Sequence, residues 1–415
     1  MEQNLQQPKK WGYTWVIVAL CCLMVTIALG FCSSSKSIYI SPVCEANGLA
    51  RSAFSLSDTT RYITTALVNI FFGTLIYKFG AKKLILGGLT SLFCSMLTYS
   101  LADNVVGFCL GGALLGLGLS FTTTTMVGAV VNTWCKKSKG TIMGLALACN
   151  GIGGAVAIQI LTPIIAKDVY GYRNAYRLVA VCLVVVFVLI LLFFRNQPEK
   201  KPVSPETVQK KPRTDYRSIL KTPYLYPAAL CIFFTGMVLQ SIHGITAPLL
   251  EDAGMQKALV ANVLSVSSLL LFCSKFGVGF LYDKTGLRIT TLICFSSSIV
   301  SCALLILVAN TASGPLAFAY SFFSALALPL ETIMLPIYAR ELFGYERFNE
   351  ALGIFVSFNT AGYALGSPLG NLCYDVFGSY HVALYISAGL MLFTLILLHI
   401  VISVARKKQA AEAEA

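Results

Sequence analysis

Charge is the scarcest feature of this chain. Only 12% of its 415 residues are Asp, Glu, Lys or Arg, about half the roughly 25% of an average soluble domain. That deficit excludes an ordinary water-soluble globule. Histidine is scarcer still. His243, His381 and His399 are the three in the chain, and they are scattered, so no histidine-built metal centre is expected. No glycine-rich loop ending in Lys-Ser or Lys-Thr is present, so a nucleotide phosphate has no cradle. The "GIGG" stretch at 151–154 lacks the preceding strand that nucleotide binding requires. The chain therefore reads as a non-enzyme that needs no cofactor and no metal.

What is abundant is apolar length. Hydrophobic residues make up 56% of the chain, and its mean hydropathy is +0.75. They fall into twelve runs, at 12–40, 54–77, 83–102, 105–133, 141–166, 174–194, 223–250, 258–281, 289–309, 314–338, 350–374 and 382–404. A run of about 20 residues crosses a hydrocarbon core of about 30 Å. Backbone groups have no water to bond inside lipid, so such runs are helices. The fold class expected is all-α, with twelve transmembrane helices. The first run is too long for a cleavable signal and lacks a small-residue cleavage site, so it reads as the first span.

The net charge of +13 admits a nucleic-acid binder, but the placement of the charges opposes it. With a cytosolic N-terminus, 23 of the 31 Lys and Arg fall in cytosolic segments, and five (Arg51, Lys167, Arg173, Arg177 and Lys257) fall outside. This bias places both termini in the cytosol of a multi-pass protein of the cytoplasmic membrane. No nucleic-acid partner is expected, only membrane lipid and a small solute. Of the 14 cysteines only Cys44 falls in an expected outer loop. Disulfides are therefore not expected. Three cations remain at membrane depth: Lys36, Arg61 and Lys275.

Residues 196–221 break the apolar pattern with prolines and charges and read as a cytosolic linker. It divides the chain into six-helix halves at 1–195 and 222–415. The halves repeat. "GTLIYKFGAK" from Gly73 parallels "GFLYDKTGLR" from Gly279, and "GLALACNGIG" from Gly144 parallels "GIFVSFNTAG" from Gly353. "DVYG" from Asp168 parallels "DVFG" from Asp375. The offsets are 206, 209 and 207. A duplicated six-helix unit makes two pseudo-symmetric bundles, with a substrate site near the bilayer midplane between them.

The loop motif after the eighth run, and its counterpart after the second, resemble the loop signature of the major facilitator superfamily. The stretches "GFCSSSKSI", "WCKKSKGTIMGLALACNGIG", "YGYRNAY" and "RFNEALGI" resemble the monocarboxylate transporters and the related oxalate/formate antiporters. The resemblance implies a gating role for Gly73, Lys78, Gly80, Gly279, Asp283, Lys284, Gly286 and Arg288. Tyr77 stands where the first motif usually has an acid. Only Asp283 is left to hold a facing helix N-terminus, near Lys139 and Gly140. Lys275 aligns with the family's arginine of the eighth helix, and Leu271 replaces an acid that some members carry.

Helix rise gives depth. Lys275 lies about 12 Å up the eighth helix, and Glu331 about 14 Å up the tenth. Both are near the midplane, where ionisable groups are functional or paired. Lys275 reads as a substrate contact and Glu331 as a proton carrier, or the two form a structural ion pair. Lys36 either snorkels to the outer interface or faces a water-filled cavity. Resemblance favours the cavity, because family members use a lysine at this motif. Arg61 either pairs with Asp58 one turn away or meets a carboxylate through its fork. His243 is either a proton sensor or an interfacial histidine. Asn150 and Asn359 are equivalent under the repeat. They either pack the halves together or bond substrate, and Thr122–Thr125 either line the cavity or bond their own backbone.

The function expected is secondary transport of a small organic anion, a monocarboxylate, by proton-coupled symport or anion exchange. The transporter would be a monomer. The alternative is a facilitator-type exporter of drugs or hydrophobic metabolites.

Overall fold

The computed structural model describes residues 10–134, 139–195, 219–344 and 347–414. Most of the linker (196–218) and the basic stretch 135–138 lie outside the described residues. The described residues are nearly all helical and contain no strand. The first half comprises α1 (Lys10–Val25), α2 (Ile40–Asn47), α3 (Arg51–Leu101), α4 (Val105–Thr122), α5 (Thr124–Trp134), α6 (Lys139–Ile165) and α7 (Gly171–Phe193). The second comprises α8 (Leu225–Asp252), α9 (Lys257–Thr311), α10 (Gly314–Ala327), α11 (Met334–Phe343), α12 (Phe348–Phe377) and α13 (His381–Glu414).

The repeat read from sequence is a repeat of shape. α3 and α9 are each two spans joined without a gap, and each folds back at one glycine, Gly80 (φ 76, ψ 159) or Gly286 (φ 75, ψ 177). A side chain strongly disfavours that backbone, and this is the physical need behind both motif glycines. Helix α4 breaks before α5 at Thr123, and α10 breaks before α11 around Thr332, 209 positions later. In the first half, α6 meets the first helix where Gly153 faces the Thr26 carbonyl. In the second, α12 meets α8 where Gly362 faces the Phe233 carbonyl. A Cβ would lie 2.4 and 2.2 Å from those oxygens. Such close backbone approach is the small-residue packing of membrane helices.

Nine of the described helices are long and apolar enough to cross a membrane, and ten if the bent α10–α11 pair is one span. The remaining two of the expected twelve are the first limb of α3 and the whole of α12, which are equivalent under the repeat. Both are helical. Their hydropathy is low because they carry polar residues such as Asp58, Arg61, Asn359 and Asn371, and they pack against each other inside the molecule.

One boundary differs from the sequence reading. The first run does not end at 40. It continues through a π-helical stretch (Thr26–Ser34) and a 3-10 turn (Lys36–Tyr39) into α2. It stops at Asn47, where Gly48 takes a left-handed φ of 65°. Cys44, expected in an outer loop, is therefore buried in a helix.

Candidate functional site

The first helix loosens where its lysine sits. Its π-helical residues give way at Ser35 to one 3-10 turn that begins with Lys36. Local π and 3-10 winding often marks functional positions. Here it turns Lys36 into the protein, where it is 9% exposed. The snorkelling reading is thereby corrected. The ammonium donates to Ser57 Oγ and to Asp58 Oδ1, both at 2.7 Å, and lies 5.6 Å from the Phe54 and Tyr99 ring centres. Helical spacing puts Phe54, Ser57, Asp58 and Arg61 on one face of α3.

Arg61 is also buried. Its Nη1 donates to Ser33 Oγ at 3.0 Å and stands 3.8 Å from Asp58. Its guanidinium lies 4.2 Å from the Tyr62 ring centre. The Asp58–Arg61 pair, one of the two readings of Arg61, is present, but Asp58 is held more closely by Lys36. These groups line a cavity of about 70 Å³, together with Gln240, His243 and Gly244 of α8. The cavity thus lies between the two halves. His243 is exposed into it rather than sitting at an interface. His381 and His399 are peripheral, bonded to Asn310 and to the Leu395 carbonyl.

A second charged locus lies in the other half. The first limb of α9, bearing Lys275, packs on the 3-10 turn Leu328–Glu331. The two groups form none of the ion pairs found among the described residues. One Glu331 carboxyl oxygen is buried without a hydrogen-bond partner. Its backbone carbonyl, freed by the helix break, accepts weakly from Asn359 Nδ2 and the Tyr363 hydroxyl, both at 3.5 Å. Tyr363 in turn faces Tyr62, with ring centres 5.2 Å apart, and so links the two loci.

The asparagines are equivalent in place but not in partners. Asn150 accepts from Ser34 at 2.8 Å, within the first half, while Asn359 sits over the carbonyl of Glu331. Thr122 and Thr123 bond their own helix backbone. At the motif loops, Lys78 and Lys284 lie over Phe79 and Phe280, and Arg288 donates to Ser403 at 3.0 Å. Asp283 is exposed. The surroundings of Gly73, and those of Lys139 and Gly140, which the sequence reading pairs with Asp283, lie outside the described residues.

At the end bearing residues 48–51 and 252–256 the halves are clasped shut. Arg51 grips Asp252 with both terminal nitrogens, one at 2.8 Å, and stacks 4.1 Å from the Tyr374 ring centre. Asp375 accepts from the backbone of Arg51 and Ser52, capping α3. Deeper down, Thr59 donates to the Ala364 carbonyl, and Asn371 donates to Ser55 at 2.9 Å. Burial opposes the charge of Arg51, but its bonds to Asp252 and Tyr380 outweigh this and hold the guanidinium above its ordinary value. Sequence reasoning treated Arg51 as a loop charge and missed the clasp. It also missed Gln240 and Tyr62, and counted Asp58 only as a partner for Arg61. Only the Ser-Ser-Ser-Lys run, with Ser33 at its head, carried a local signal.

A family model described as Major Facilitator Superfamily matches residues 18–344. The chain is 26% identical to the multidrug resistance protein MdtG of Citrobacter koseri, over 94% of the chain and 95% of that protein. It is 24% identical to the uncharacterized MFS-type transporter YcxA of Bacillus subtilis, over 65% of the chain and 66% of YcxA. It is 21% identical to the sialic acid transporter NanX of Escherichia coli, over 60% and 61%. In fold it is similar to a mutant form of the nucleoside transporter NupG, with a TM-score of 0.80, 10% identity and coverage of 93% and 99%. A bacterial homologue of the lysosomal transporter Spinster gives a TM-score of 0.72 at 13% identity, covering 96% and 97%.

Proposed function

The chain belongs to the Major Facilitator Superfamily, and within it we propose that this transporter carries a small organic anion, most simply a monocarboxylate. It is a membrane transporter and not an enzyme. The observation that carries the anion reading is an excess of cations. Lys36 and Arg61 line the central cavity, and Asp58 is the one acid among its lining residues. A buried cation needs a counter-charge, and a soluble anion supplies one. Arg61 has guanidinium donors in fork geometry suited to a carboxylate. Lys275, Asn150 and Asn359 are the further substrate contacts. Glu331 and His243 are the candidates for proton coupling, and anion exchange is the other mode.

In this reading the bundles 1–195 and 222–415 rock about the site, joined by the linker 196–221. The motif loops gate one face and the Arg51 clasp closes the other. The protein works as a monomer in the cytoplasmic membrane with both termini in the cytosol. The similarity to a sialic acid transporter is consistent with an acidic cargo. Similarity to MdtG over nearly the whole chain favours a second reading, an exporter of drugs or hydrophobic metabolites.

Uptake of radiolabelled lactate, pyruvate, formate and oxalate into proteoliposomes, with and without a pH gradient, separates them. Saturable entry of a carboxylate above empty vesicles is expected. If none of the four enters while a lipophilic dye is moved, the exporter reading takes its place.

A further inference from the structure

The cavity lining holds two cations and one acid, and these three groups are not equivalent. Lys36 is tied to Ser57 and Asp58 and flanked by Phe54 and Tyr99. Asp58 is 7% exposed in its side chain and is shared by Lys36 at 2.7 Å and Arg61 at 3.8 Å. The opposite wall, from α8, offers Gln240, His243 and Gly244. At pH 8 an ordinary histidine, with a pKa of about 6.5, is neutral. The other charges at this depth, Lys275 and Glu331, are not among the residues that line this cavity. The site therefore carries one net positive charge. Its volume of about 70 Å³ admits only a few water-sized groups, since one water needs roughly 10–15 Å³ on the same measure.

We infer that Asp58 sets the valence of the cargo, so that the site accepts a singly charged carboxylate and discriminates against a doubly charged one. The inference rests on the anion-carrier reading above. One carboxylate brings the buried cluster to neutrality. A dicarboxylate leaves an uncompensated negative charge in a small cavity, next to the fixed carboxylate of Asp58. Selectivity by an unpaired charge against the wrong ligand is a difference of affinities built into the site. Asp58 thus occupies the place that a second substrate carboxylate would otherwise fill, beside Lys36.

The test is competition in proteoliposomes holding the full chain at pH 8. The probes are labelled lactate with unlabelled lactate or malonate as competitor. In the wild type, malonate should compete roughly tenfold more weakly than lactate. Asp58→Asn raises the site to two positive charges, and malonate should then compete at least as well as lactate. Asp58→Glu keeps the charge and should keep the wild-type order. Lys36→Gln combined with Asp58→Asn removes one charge of each sign. It restores the single positive charge and should also restore the wild-type order, even if Asp58→Asn alone fails to fold. The inference is overturned if malonate competes equally in the wild type, if Asp58→Asn keeps the lactate preference, or if the double variant prefers malonate. A wild type that moves none of lactate, pyruvate, formate or oxalate overturns the anion-carrier reading instead, which is a distinct result.

Discussion

A charged side chain at the bilayer centre costs about 2.5–3.5 kcal/mol even on insertion scales, and among the described residues Lys36, Asp58, Arg61, Lys275 and Glu331 lie within the apolar runs or at their breaks. The first three are held together over distances of 2.7 and 3.8 Å, with one positive charge left over. The last two do not close into an ion pair, although they lie on packed elements. That leaves Lys275 as a further cation for a passing anion, beside the Lys36 and Arg61 of the central cavity. Replacing Lys275 by Gln should reduce carboxylate uptake at least tenfold, a loss of about 1.4 kcal/mol or more in transition-state or binding free energy, while leaving membrane insertion and thermal stability near wild type. Uptake at the wild-type rate would remove Lys275 from the path. Glu331 has one carboxyl oxygen without a partner, which suits a group that takes and gives a proton. Glu331→Gln should spare lactate–lactate exchange but lose accumulation driven by a pH gradient. If the variant still accumulates substrate, Glu331 has only a structural role.

At the level of helices, irregularity coincides with chemistry. The first helix is π-wound before Lys36, and the tenth apolar run is broken at Glu331. The matching break at Thr123 leaves its own neighbours bonded to their backbone. Two interrupted helices in corresponding positions of a duplicated fold are a marker of the transport path. Glycine contacts hold the regular parts together. At Gly362 a Cβ would come within 2.2 Å of the Phe233 carbonyl, so a side chain there must push α12 off α8. Gly362→Val should lower stability by about 1–3 kcal/mol through overpacking. This would be read as a lower melting temperature in detergent, and an unchanged melting point would contradict that packing.

At the level of the whole molecule, the two halves meet through pairs that are equivalent under the repeat: the first limb of α3 with α12, and α6 with the first limb of α9. The clasp of the Arg51 guanidinium on Asp252 and Tyr380 closes one end, with Asp375 accepting from the backbone of Arg51 and Ser52. Arg51→Gln should weaken this closed state. A loss of about 1–2 kcal/mol shifts a two-state population roughly 5–30-fold. Spin labels at the exposed positions Glu45 and Val376 should then report a longer mean distance in the variant. An unchanged distribution would show that the clasp does not bias opening. Because the guanidinium is held above its ordinary value, the arginine stays charged over the physiological pH range, so its deprotonation cannot release the clasp.

Much of this was legible in the order of residues, because hydropathy and repetition are local or periodic properties. Twelve apolar runs follow from lipid's demand that backbone groups bond internally and the duplication from stretches repeated at nearly one offset, while Gly80 and Gly286 stand out only through the resemblance of their loop motifs. Lys36, Arg61, Lys275 and Glu331 stood out as charges where charge is costly. What could not be read there is which charges face one another. Asp58 sits one turn from Arg61 in sequence, yet it is the loosened first helix that swings Lys36 onto it. Likewise Arg51 meets Asp252 and Asp375 only because three distant helix ends converge. Those pairings depend on helix rotation, tilt and the closing of one half against the other, and these are set by packing across hundreds of residues.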